Sequence, residues 1–133
     1  MNELVVYPAI ETLTIAYLST RLAARGDRAV VATKVPNPRP DRLVRVSAAG
    51  GGNDRRILAS RIVIIECWDL HEPEAAQLAE LCHALLLSAP RDPQEPRIRA
   101  AATVGAPVNH PDPDTRHPRY QATLDLDVRG QLA

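Results

Sequence analysis

The sequence predicts an α+β fold, with a mostly antiparallel five-stranded sheet packed by two helices in the order α-β-β-β-α-β-β. Three observations carry that expectation. Residues 59–68 are apolar at both parities of an extended chain, with Val63, Ile65 and Cys67 pointing one way and Ile62, Ile64 and Trp68 the other. Such a strand is expected to be covered on both faces and to sit centrally in its sheet. The pattern then changes directly to helical period, placing Ala75, Leu78, Cys82, Leu85 and Leu86 on one face. Near the end, Tyr120, Ala122, Leu124, Leu126 and Val128 alternate with Gln121, Thr123, Asp125, Asp127 and Arg129, which describes a strand with one wet face. A buried strand feeding an amphipathic helix is the nucleus of an α+β domain. Ile64 and Leu78 are expected to meet across that strand–helix layer.

The remaining elements follow in chain order. Pro8 suits a first helical position, Glu11 favours the dipole of the first turn, and Gly26 is a C-terminal stop, so a helix is expected over about 8–25. Its stripe is Ile10, Leu13, Tyr17 and Leu18, widened by Ile15 and Leu22. A short strand over 29–35 ends at Pro36, Pro38 and Pro40, which forbid a continued ladder and stiffen a turn. Residues 43–48 form the next strand, and 49–56 read as a flexible hairpin tip carrying Gly50, Gly51 and Gly52. Those glycines lack the Lys and Ser/Thr of a phosphate loop and precede no helix. After the second helix and a proline-rich connector at 89–96, residues 97–104 alternate as a strand, and 105–118, with four prolines, read as an irregular excursion.

Size and composition narrow the function. The 133 residues form a single domain (1–133), large enough to bury roughly two-thirds of its unfolded surface. The core must be aliphatic, because Phe is absent and Trp occurs once. Sixteen basic residues balance sixteen acidic ones, which gives no electrostatic case for sequence-specific nucleic-acid binding or an anionic membrane surface. Neither a leader in MNELVVYP nor a membrane-spanning run is expected. Cys67 and Cys82 read as small buried hydrophobes in a reducing compartment.

Two clusters could carry chemistry. Glu66, Asp69, His71 and Glu72 lie at the strand-to-helix junction, where a base could sit beside an acid, but where capping residues also collect. His110, Asp112, Asp114 and His117 have metal-ligating chemistry, yet Pro111 and Pro113 splay their side chains. No nucleophile, oxyanion motif or cofactor loop accompanies either cluster, so no enzyme, catalytic residue, metal or cofactor is expected. The expected interface is instead two loops. One carries Gly50, Gly51, Gly52, Asn53, Asp54, Arg55 and Arg56 and orders on contact with a partner; the other carries His110, Asp112, Asp114, Arg116 and His117.

As an ordered set, these features resemble the tail terminator (tail completion) proteins of long-tailed bacteriophages. The resemblance is carried by Tyr7-Pro8 into the first helix, the Gly26-Asp27 turn, residues 35–40 followed by 42–46, the strand ending Glu66-Cys67-Trp68, residues 74–79, and residues 112–114 with Arg119-Tyr120. It spans nearly the whole chain. The resemblance implies a structural α+β subunit that assembles with copies of itself as a ring, six in the family. That ring caps the head-proximal end of the tail tube in the virion, stops its polymerisation and docks the head connector, after assembly in the host cytoplasm. The tail tube protein and the connector are the implied partners, with no catalytic residue to carry over. A head-tail adaptor or neck protein, and behind it a small metal-dependent enzyme, are the alternatives.

Overall fold

A computed structural model describes residues 4–133, so residues 1–3 of the segment read as lacking a leader lie outside the described residues. The elements are β1 (Val5–Val6), α1 (Ile10–Ala24), β2 (Val30–Ala32), β3 (Leu43–Arg55), β4 (Leu58–Trp68), α2 (Glu72–Ser88), a 3-10 turn (Ala89–Arg91), β5 (Ile98–Asn109), β6 (Arg119–Arg129) and β7 (Gln131–Leu132). The main sheet runs β2-β3-β4-β6-β5, with β4 at its centre. Its order with the helices is the expected α-β-β-β-α-β-β. Two features were not foreseen. β2 pairs parallel to β3, so the sheet is mixed, and β1 pairs with β7 as a separate antiparallel ribbon.

α1 ends where Gly26 adopts a φ of +76°, a conformation open to glycine. The Gly26 N–H donates to Ala23 O and the Asp27 N–H to Leu22 O, both at 2.9 Å, which satisfies the last carbonyls of the helix. The helix buries Ile10, Leu13, Thr14, Tyr17, Leu18 and Leu22. α2 buries Ala75, Leu78, Ala79, Cys82 and Leu86, with Pro73 in its first turn. The two helices are tied where Tyr17 OH donates to Leu85 O at 2.8 Å. Together they cover one face of the sheet, against Val44, Val46, Val63, Ile65, Ala122, Leu124, Leu126 and Val128.

The expectation that β4 is covered on both faces is therefore corrected. Register places Ile64 opposite Ser47 and Thr123, and Ile62 opposite Asp125. These side chains form a second face on which no helix lies, and both isoleucines stay partly exposed. Ile64 consequently cannot meet Leu78; Ile65, on the opposite parity, shares the core cluster with it. This face is closed at the Trp68 end, where Trp68 and Leu43 pair and are fully buried, and Ser60 at its other end is buried as well. The two isoleucines signal strand propensity and partial burial, and a count of apolar parities cannot tell that from a covering layer.

β3 and β5 both run further than expected. The supposed hairpin tip at 49–56 is mostly strand: Gly51 pairs with Arg61, Gly52 with Ser60 and Arg55 with Leu58, across two register shifts. The reversal itself is confined to Arg56 and Ile57. Glycine is required at position 51 because the β4 backbone crosses there. A Cβ on Gly51 would press into the Ser60 carbonyl and stand 2.9 Å from Arg61 Cα, and its φ is +127°. Gly51→Ala is accordingly expected to destabilise the fold by at least about 1–3 kcal/mol, the scale of backbone strain. Gly26→Ala, which meets no neighbouring atom, should lose less; chemical denaturation of the two variants checks this ranking.

β5 continues through residues 105–109, which the prolines alone would place in an irregular excursion. It is an edge strand, where Pro107 can be accommodated, and it carries three register shifts against β6. The irregular segment shrinks to residues 110–118.

Candidate functional site

The carboxylates of the β4–α2 junction are engaged as structural partners. Glu66 accepts from Arg45 at 3.2 Å through one oxygen and from Arg119 at 2.8 Å through the other. Arg119 is held in turn by the His110 carbonyl at 2.9 Å, and its guanidinium lies over the Trp68 ring, 5.5 Å from the centroid. Asp69 accepts from Arg42 at 2.8 Å, and Arg42 reaches back to Asp27 at 2.6 Å. One guanidinium thus ties the turn after α1 to the end of β4. His71 precedes α2 without a side-chain capping bond, and Glu72 is exposed in the first turn. Glu66 and Asp69 lie on opposite sides of Trp68 in sequence and are bonded to different arginines, so the four residues do not converge on one point.

Charge pairing sets an acid limit. The Arg42 hydrogen bond holds the Asp27 carboxyl below the usual carboxylate range, with the Ala29 N–H adding to it against the opposing effect of burial. At Asp112 burial pushes upward, but the N–H groups of Asp114 and Thr115, the Trp68 indole and the Arg119 charge outweigh it and leave that carboxyl lowered too. A lowered folded-state pKa means stability that is present above the ordinary carboxylate value and lost as pH falls through the folded value. Melting temperature is expected to fall below about pH 4, the ordinary carboxylate region. Asp27→Asn should lower it at neutral pH and flatten that acid limb.

Residues 110–118 form an ordered turn on one carboxylate. Asp112 Oδ1 accepts the Asp114 N–H at 2.9 Å and Oδ2 accepts the Trp68 indole at 3.3 Å. Asp112 also receives at its carbonyl the Arg116 N–H, at 2.7 Å. His117 Nδ1 shares a hydrogen bond with Thr115 Oγ1 at 2.6 Å, and His110, Asp114, Arg116 and His117 are exposed. Among the described residues no three His, Cys, Asp or Glu side chains come together as a metal-ligand set.

The other expected interface segment lies at the far end of the sheet. Gly50, Gly51 and Gly52 border an open cleft shared with Ile10 of α1, and Glu11 in the first turn of that helix accepts the Ala48 N–H at 2.8 Å. Asp54 bonds Arg61 at 2.9 Å and Arg55 bonds Asp127 at 2.8 Å; Arg56, exposed in the turn, gives its carbonyl to the Tyr7 hydroxyl. The β4 register separates this segment from residues 110–117 by the full length of the strand. The two loops expected to form an interface are thus two surfaces, not one.

A third surface was missed in the sequence. The β1–β7 ribbon, the start of α1 and the β3–β4 turn enclose an apolar groove of about 740 Å³. Val6, Tyr7, Leu13, Ile57, Pro96 and Leu132 line it, with Arg97 and Arg129 as its charged side chains. Gly130 permits the ribbon to close, since a Cβ there would stand 2.7 Å from Val5 Cγ1 and 2.9 Å from Tyr7 Cδ1. The apolar residues at both chain ends were the available signal, but each run is too short to announce a strand alone.

Cys67 and Cys82 are buried and unbridged, and the neighbouring Cys82 thiol, together with burial, pushes the Cys67 thiol up. His83 pairs with Thr103 Oγ1 at 2.7 Å. Among the described residues no helix is long and apolar enough to cross a membrane. Neither profiles of known protein families nor the sequences of curated proteins match this chain.

Proposed function

We propose that the chain is a structural ring subunit of the tail-terminator kind, which caps a phage tail tube, stops its growth and presents a docking surface to the head connector. The observation that supports this best is the uncovered face of the sheet. Two helices cover one side, while Ile62 and Ile64 lie partly exposed on the other and Val104 and Val108 are more than half exposed on β5. The isoleucines stand among Ser47, Thr123 and Asp125 on a face without a helix, which leaves that face free to meet another chain. Zero net charge removes the repulsion that would hold copies apart.

The strand edges themselves are poor templates for adding a further strand. β2 is three residues long, and β5 carries Pro107 and three register shifts. Short edges, proline and bulges are the devices by which sheets avoid edge-to-edge pairing. Subunit contacts are therefore made by side chains of the open face and the two sheet ends rather than by a continuous ladder.

The test adds purified protein to polymerising tail-tube subunits and measures tube length by negative-stain microscopy. Tubes that stop at a fixed length with a ring of density at one end are expected. Tubes that grow on, with the protein at neither end, overturn the reading; binding to the connector alone would mark an adaptor instead.

A further inference from the structure

The same apolar groove has a complementary projection at the other end of the molecule. Leu70 lies two residues beyond the end of β4 and is 58% exposed. Exposed Glu72 and Glu74 follow it in the first turn of α2, while Asp69 before it is already held by Arg42. The groove presents the inverse: an aliphatic floor, and Arg97 and Arg129 as its charged lining. Arg97 is shared with Glu95, whereas Arg129 makes no ion pair among the described residues.

Knob and groove cannot meet within one subunit. Ile57, in the groove, immediately precedes β4 and Leu70 lies two residues beyond its end, so the strand's 11 residues separate them. At about 3.3 Å per residue that is roughly 36 Å. From this geometry we infer that Leu70 of one copy of this chain seats in the Ile57–Leu132 groove of the next, with Glu72 and Glu74 against Arg129 and Arg97. The contact rests on the ring reading and names the surfaces that build it. Because the two surfaces differ and lie at opposite ends of the subunit, the contact is heterologous, and repeating it yields a ring when the rotation closes or a filament when it does not. Apolar insertion supplies the attraction, and the charge pairs fix which end meets which.

Cross-linking tests the contact directly. His71→Cys and Gln131→Cys are exposed substitutions that flank the contact and leave Leu70 and Leu132 in place, and the native Cys67 and Cys82 are buried away from oxidant. The two single variants, mixed and mildly oxidised, should give a mixed disulfide dimer in at least tenfold higher yield than either variant alone. Introducing Arg129→Glu into the Gln131→Cys chain should lower that yield several-fold, and Glu74→Arg in the His71→Cys chain should recover it. Equal yields in the mixture and in the separate variants, or no cross-link, overturn the contact, as does indifference to both charge changes. Wild-type rings on tubes without this cross-link would leave the terminator reading standing and remove the contact. A cross-linked ladder with no arrest of tube growth would keep the contact and remove the terminator reading.

Discussion

Ile65→Ala is expected to destabilise the fold by about 2–5 kcal/mol, the range for deleting a large aliphatic side chain from a packed core. Its neighbour Ile64→Ala should cost less than half as much. The two residues are chemically identical and adjacent on the central strand, so the comparison isolates the face they occupy. Ile65 is fully buried in the cluster that contains Leu78, Cys82 and Leu124. Ile64 stands among Ser47 and Thr123 on the face without helices, where solvent can fill the space left behind. Urea unfolding of both variants decides the matter. Equal losses would mean that a covering layer lies on both sides of β4 and that the one-sided sheet is wrong.

Glu66→Ala is the second large effect, expected at about 3–5 kcal/mol, as when one partner of a buried ion pair is removed. The side chains of Glu66 and Arg119 are 11% and 9% exposed, so neither charge is well solvated without the other. Arg45, at 40% exposure, can turn to water and adds little. Truncation would leave Arg119 buried beside Trp68 with one backbone carbonyl for company. The double variant Glu66→Ala with Arg119→Met should recover much of the loss, because no unpaired charge then remains. The coupling energy from the four-variant cycle measures this; a value near zero would show that the pair does not hold the sheet to residues 110–118.

The sequence pointed to Ile64 and to Glu66, but for the wrong partners: Ile65 packs in the cluster with Leu78, and Glu66 pairs with Arg119. Both helices, the central strand and the last strand were readable because each is long and its period is local. The α1 stop at Gly26 and the α2 start near Pro73 follow from backbone chemistry of single residues. The long reach of β3 was hidden because three glycines locally read as a turn. Only the approach of the β4 backbone at Ser60 and Arg61 makes a strand out of Gly51 and Gly52. The candidate site was least legible of all. Residues 50–56 and 110–117 look equivalent as loops, yet the antiparallel register of β4 with β3 and β6 sends them to opposite ends of the sheet.

By itself, then, the sequence determined the elements with strong periodicity, the aliphatic nature of the core and the balance of charge. These depend on side-chain type and on neighbours within a few residues, and that information is complete in the chain. Tertiary structure alone decided which face of β4 is covered, since Ile64 and Ile65 differ only in what the rest of the fold places over them. It alone joined the two chain ends as the β1–β7 ribbon, converting Val6 and Leu132 from isolated apolar residues into the walls of one groove. It also decided that Glu66 and Asp69 pair with arginines, because Arg42, Arg45 and Arg119 arrive from segments far away in sequence. Pairings of that range arise from sheet register, which no local pattern encodes.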